Sequence, residues 1–332
     1  MTHKRTRILS YLVVLSLVLA VLIPLQVFAE AEETYYLLGT HAGIPYWLDH
    51  KRGAEAAAAD LGVNLEYVGA YGNDAEEQFN QLEALIGKHP AGILIGPVRP
   101  DSLTPAINNA MAEGIPVVTV VTDAPSSNRL CYIGPDGYDA GQQAADYMAD
   151  LLGPGEHYVG ISNLVGVSVC DQRAQGFEDG IQERYPNIHV VGVVNDNCDY
   201  EIGTKACSDL LVANSNIDGM LGTNAASAVG IAAAIAAVDK TGQVRVIGWD
   251  NDSPTLNLIR EGKVDASIVH DSFMMSYMAM QMLYLYNHDI VKLTEGGDWS
   301  HFLSRNLPSP WPTRINFPAM FCTIDNVADF ER

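Results

Sequence analysis

Strand signals and helix signals take turns along this chain, and that alternation limits its fold more than any other feature. Short β-branched or aromatic runs read as buried strands: TYYLLGT (34–40), AGILIG (91–96), IPVVTVV (115–121), HYVGIS (157–162), VRVIGW (244–249) and VDASIV (264–269). Between them lie longer amphipathic or Ala-rich runs. PYWLDHKRGAEAAAADLG (45–62) ends on Gly62, and DAEEQFNQLEALIGK (74–88) starts on Asp74, a natural N-cap. CDQRAQGFEDGIQERY (170–185) and AASAVGIAAAIAAVD (225–239) continue the series. Strand–helix–strand repetition builds a parallel sheet with helices on both faces. About ten strands are too many for one small doubly wound domain, and the pattern restarts after LCYIG (130–134), so the chain predicts an α/β protein of two doubly wound lobes. The stretch 292–322 lacks periodicity and reads as a wandering surface connection, while the Met/Tyr stripe at 274–286 reads as core and hinge packing.

Charge narrows the partners. Lys and Arg number 19 against 40 Asp and Glu, a net charge of −21 that repels a phosphate backbone, so no nucleic acid is expected. The basic start MTHKRTR, the apolar run that follows and VFA before Glu30 predict a signal peptide over 1–29, cut after Ala29. The mature chain is then expected in the periplasm or outside the cell. Five cysteines, Cys131, Cys170, Cys198, Cys207 and Cys322, allow two disulfides with one thiol over, in no pairing the sequence selects. Their spacing fits no zinc pattern, so no metal and no cofactor are expected. There is no G-x-S-x-G, no H-E-x-x-H and no P-loop. The chain reads as a non-enzyme.

In open α/β sheets, ligands lie beyond the carboxyl ends of the strands. Those ends carry His41–Trp47, Thr122-Asp123, Asn163–Arg173, Asn195–Asp199, Asn224, Trp249-Asp250 and His270-Asp271. The set is rich in Asn, Asp, Arg and aromatic residues, which suits recognition of a neutral polar guest more than covalent chemistry.

At GVSVCDQRAQGFEDGI, MLGTNAASAVGIAAAI and VIGWDNDSPTLNLIREGKVDASIVH the order of motifs resembles the type I periplasmic solute-binding proteins, in particular the ribose and galactose branch that serves sugar ABC importers. The matching positions are Arg173 before Gly176-Phe177, then Asn224, Gly248-Trp249-Asp250, and His270 after ASIV; GIPYWLDHKRGAEAAAADLG, GILIGPVRPDSL and GIPVVTVVTDAP match upstream. The resemblance covers roughly 34–290. It implies two Rossmann-like lobes joined by a hinge of three crossings: 34–134 plus 271–300 in the first, 135–270 plus 301–332 in the second. It further implies a monomer that captures a monosaccharide or related polyol between the lobes and hands it to an ABC permease. A sensory module reporting a signal sugar to a membrane receptor or kinase is a second reading, and an extracellular hydrolase on the same lobes a third. The residues expected at the ligand are Tyr46, Trp47, Asp123, Arg173, Asn224, Trp249, Asp250 and His270. Asp250 would accept from sugar hydroxyls, Arg173 donate to them, Asn224 do both, and the aromatic rings cover C–H faces. The chain departs from the family where an Asp, often followed by Arg, is usual after the fourth strand: Val121 and Thr122 stand there, with the acid at Asp123. Ile44 also replaces a frequent Asn, and His270 a Gln or Asn. These departures leave the exact sugar open.

Overall fold

The computed structural model describes residues 33–69, 72–288 and 312–331. The signal-peptide reading of 1–29 lies outside the described residues. The strands are β1 (Thr34–Gly39), β2 (Asn64–Gly69), β3 (Gly92–Ile95), β4 (Val117–Val120), β5 (Cys131–Pro135), β6 (His157–Asn163), β7 (Ile188–Asn195), β8 (Gly219–Gly222), β9 (Arg245–Trp249), β10 (Ala266–Val269), β11 (Arg314–Phe317) and β12 (Met320–Thr323). The helices are α1 (Pro45–Leu61), α2 (Ala75–Ile86), α3 (Pro100–Ala112), α4 (Gly137–Leu152), α5 (Ser168–Arg184), α6 (Tyr200–Ala213), α7 (Ser227–Ala237), α8 (Ser253–Arg260) and α9 (Ser272–Asn287).

The strands sort into two six-stranded sheets, ordered β11-β5-β4-β3-β1-β2 and β12-β10-β9-β8-β6-β7. Neighbours are parallel except β10 and β12, which run antiparallel. Every residue of β3, β4 and β8 is buried. Helices cover both faces there, so these strands are apolar apart from the buried Thr119 instead of alternating. The edge strands β2 and β7 are partly exposed.

The chain passes between the sheets three times: from β5 into α4, from β10 into α9, and from β11 into β12. The last passage corrects, for residues 314–323, the reading of 292–322 as an irregular connection and of 301–332 as wholly second-lobe; 292–311 lie outside the described residues. Arg314–Phe317 pairs in parallel with β5 in the first sheet, and Met320–Thr323 pairs with β10 in the second. Four-residue strands at a sheet edge are too short to show a period of two, which is why the sequence reads as loop there.

Helix pairs in each half approach at backbone contact. A Cβ on Gly141 of α4 would lie 2.1 Å from the Arg173 carbonyl oxygen, and one on Gly176 of α5 would lie 2.1 Å from the Tyr138 carbonyl oxygen. Glycine at both places lets α5 sit deep against α4, which sets the height of Arg173. Gly87, by contrast, is helical at φ −62° and its nearest neighbour beyond the adjoining residues is 3.7 Å away. Urea unfolding should therefore separate the two: Gly141→Ala is expected to cost about 1–3 kcal/mol through overpacking, while Gly87→Ala is neutral or gains about 0.4–1 kcal/mol by stiffening the unfolded chain.

Candidate functional site

Strand ends of the two sheets face one another across a cavity of about 70 Å³. Thr40, Val121 and Thr122 reach it from the first sheet, and Cys198, Asn224 and Asp250 from the second, with Tyr46 and Trp47 entering on α1 and Arg173 on α5. The space is well below the roughly 300–1,000 Å³ of drug-sized pockets. This conformation suits a guest no larger than a monosaccharide.

Arg173 is 4% exposed. Its Nη1 donates to the Thr223 carbonyl at 2.8 Å, and its guanidinium carbon lies 4.2 Å from the centre of the Trp249 ring. The Arg173 Nε is buried without a hydrogen-bond partner. Asp171, a candidate ion-pair partner for Arg173 along the same helix, instead accepts from Asn163 Nδ2 and the Gly166 amide. A cation held this way is stabilised by an indole face and a carbonyl, with donor capacity left over.

Asp250 follows β9 at φ +62°, a left-handed conformation that Asp tolerates better than most residues. Its amide donates to the Ile268 carbonyl at 2.8 Å, and Ser267 Oγ donates to its own carbonyl at 2.6 Å, so both sides of the turn are tied to β10. Burial pushes the Asp250 carboxyl up to about 7, partly offset by the Arg173 charge. Tyr46 packs its ring edgewise on Trp47 and His50, at 6.0 and 4.9 Å. Its hydroxyl is buried without a partner, and burial followed by the Asp250 charge holds that phenol well above its usual range, as a neutral donor. Trp47 Nε1 donates to Thr40 Oγ1 at 2.9 Å, and Gly96 makes room for the indole, since a Cβ there would lie 2.3 Å from it.

Asn224 is fixed by a residue absent from the expected set. Its Nδ2 lies 2.9 Å from both carboxylate oxygens of Asp196, and its Oδ1 accepts from the Ala226 amide at 3.0 Å. Asp196 is fully buried and also accepts from Ser162 Oγ at 2.8 Å, Ser227 Oγ at 2.6 Å and the Cys198 amide at 2.9 Å. One Nδ2–H is shared between the two Asp196 oxygens, so Asn224 keeps its second amide proton and the remaining lone pair of Oδ1 for a guest. Asp196 was visible only as one acid in the strand-end run 195–199; its four partners come from three separate segments.

Three expected contacts lie elsewhere. Asp123 is taken up by Arg129, whose Nη2 donates to Oδ2 at 2.8 Å, and it borders a surface groove instead of the cavity. Trp249 is completely buried beneath Arg173 and offers the cavity no face. His270 sits in the second crossing, where its Nδ1 is 3.1 Å from the Pro318 carbonyl of the third crossing, and burial lowers its imidazole to about 3. It is a neutral hinge residue. The five cysteines are unpaired; Cys170 and Cys198 line the cavity, where burial raises both thiols to about 12.

Asp250 holds its proton more tightly folded than unfolded, where its ordinary value is 3.8. Its contribution to stability therefore falls as pH rises from about 4 to about 7 and is level above that. His50 and His270, both lowered to about 3, act in the opposite sense as pH rises toward 6.5. A difference profile isolates the carboxyl: the stability of Asp250→Asn minus that of the wild type, by urea unfolding without ligand, should climb between pH 4 and 7 and then flatten.

Comparison with known proteins places this geometry. Residues 35–288 match the periplasmic binding protein domain. The ribose import binding protein RbsB of Bacillus subtilis (strain 168) is 26% identical over 238 residues, covering 71% of this chain and 76% of that protein. The Escherichia coli K12 ribose import binding protein is 26% identical over 242 residues, covering 72% and 80%. Among solved structures, a sugar ABC transporter sugar-binding protein from Bacillus halodurans superposes with a TM-score of 0.81 at 31% identity, over 90% of this chain and 100% of that one. AraP, an arabinose binding protein from Geobacillus stearothermophilus, gives 0.76 at 31% identity, over 91% and 100%. With the family's domain running through most of its length, this chain belongs to the periplasmic binding protein domain family.

Proposed function

We propose that this protein is an exported solute-binding protein. It captures a monosaccharide or related polyol between two lobes, as a monomer, and delivers it to the permease of an ABC importer. Among the described residues the lobes are 34–134 with 271–288 and Arg314–Phe317, and 135–270 with 320–331. The signal peptide over 1–29 accounts for export.

One observation carries the reading. Arg173 Nε and the Tyr46 hydroxyl are buried donors without partners, in a cavity that also holds the Asp250 carboxyl and the Asn224 amide. A neutral polyol supplies acceptors to the first two, a donor to Asp250 and either to Asn224 through the same hydroxyl groups. A carboxylate or phosphate guest would satisfy Arg173 but face Asp250. The named relatives support the ligand class: two are ribose import binding proteins, and AraP is an arabinose binding protein. Asp250 is the one carboxylate among the described residues lining the cavity, whereas glycoside hydrolysis uses a pair. The reading is therefore capture without turnover.

Contacts drawn from both lobes exist together only when the hinge is shut, so ligand shifts the population toward the closed form. Titration calorimetry of the refolded, ligand-free protein against pentoses, hexoses and alditols is expected to give one saturable site, with the melting temperature rising as ligand is added. Mass spectrometry of material released from the freshly purified protein should return the same intact sugar. No heat and no melting shift with any sugar or alditol would overturn the reading.

A further inference from the structure

Val121 is the residue of this cavity that its local backbone least favours. It sits at φ +67°, where a β-branched side chain is strained. The Thr122 amide closes onto the Val120 carbonyl at 2.7 Å, two residues back, which makes a tight γ-turn centred on Val121. The Tyr132 hydroxyl lies 3.0 Å from the Val121 carbonyl and pins the turn from β5. Strain of this kind persists where the surroundings over-determine it, and it gathers at ligand sites.

The turn determines what β4 presents. Val121 is 6% exposed, lines the cavity, and belongs to one apolar cluster with Trp47 and Ile44 from the first lobe and Leu164, Val167 and Val169 from the second. The acid that follows, Asp123, is drawn off by Arg129 and brings no charge to the cavity. The polar groups of the cavity belong instead to Arg173, Asp250, Asn224 and Tyr46, with Arg173 Nε and the Tyr46 hydroxyl unpartnered and Thr122 beside them. A hydroxyl turned onto the Val121 isopropyl group finds no donor or acceptor on that side chain or on Ile44, Leu164, Val167 and Val169 around it, and would lose its water without replacement.

Building on the carbohydrate reading above, we infer that Val121 is a specificity-determining residue, selecting a sugar that turns a carbon without a hydroxyl, a deoxy or methyl carbon, toward the end of β4. The ligand class is thus an amphipathic monosaccharide, hydroxylated along one edge and apolar along the other. An apolar pocket separates ligands differing by one such group by about 10- to 200-fold.

The test is a calorimetric panel of D-glucose, D-galactose, D-ribose and L-mannose, each against its monodeoxy derivatives, on the wild type, Val121→Asn and Val121→Gly. Asn accepts the left-handed backbone better than Val and adds an amide, so that variant is expected to fold at least as well. In the wild type at least one deoxy sugar should bind about tenfold or more tightly than its parent. Val121→Asn should bring that ratio to about one or reverse it, and Val121→Gly should weaken the deoxy sugar without improving the parent. A parent sugar that binds the wild type as tightly as all its deoxy derivatives overturns this inference while leaving the carbohydrate reading standing, and so does a ratio unchanged by Val121→Asn. Silence from every sugar in this panel, and from the pentoses, hexoses and alditols of the wider titration, sinks the carbohydrate reading and this inference with it.

Discussion

A guanidinium held away from bulk water must be stabilised by its neighbours, and in this protein those neighbours also line the cavity proposed as the binding site. Arg173 rests on the Trp249 ring, gives one proton to the Thr223 carbonyl and keeps Nε unmatched. Its charge is set against the carboxyl of Asp250, which burial holds near pH 7. Neither group is fully satisfied by the protein alone. A guest with several hydroxyl groups completes both, so the same desolvation that makes the empty site costly gives each new hydrogen bond its strength.

The supports of that centre are spread over the second lobe. Gly141 and Gly176 let α4 and α5 close to backbone contact and so place Arg173. Ser267 and Ile268 clamp the left-handed Asp250 from β10. Asp196 gathers Ser162, Ser227, Asn224 and the Cys198 amide into one buried network and dictates which face Asn224 shows. The first lobe contributes differently, with Tyr46, the indole of Trp47 and the strained Val121. Much of its side of the cleft is apolar, and cluster residues from the two lobes meet there. His270 and Pro318, joined by a hydrogen bond between two crossings, stiffen the hinge about which such lobes move.

How much of this was legible in the sequence follows from the range of each interaction. Strand–helix alternation is local and repeated, so the two sheets could be read; the strand-end rule gave the runs, and the family resemblance picked out of them Tyr46, Trp47, Arg173, Asn224 and Asp250, which the fold brings to one cavity. Trp249 was read as a ligand face from its place in the Gly248-Trp249-Asp250 motif of the resembling family; strand alternation in fact turns it the other way, under Arg173. Asp123 looked available because Arg129 lies six residues on, in a loop whose path no periodicity reports. Asp196, His270 and the edge strands at 314–323 depend on partners tens to hundreds of residues away, where one sequence carries no pairing signal.

The central claim is that the buried charge of Arg173 binds the guest, with Trp249 as its seat. The most direct measurement is the calorimetric affinity of Arg173→Met, a side chain that still packs on the indole, for the sugar that binds the wild type most tightly, with circular dichroism confirming the fold. Losing a charged partner from a buried hydrogen-bonded contact predicts a fall in affinity of about 30-fold or more. A folded Arg173→Met protein that binds within threefold or so of the wild type would contradict the account.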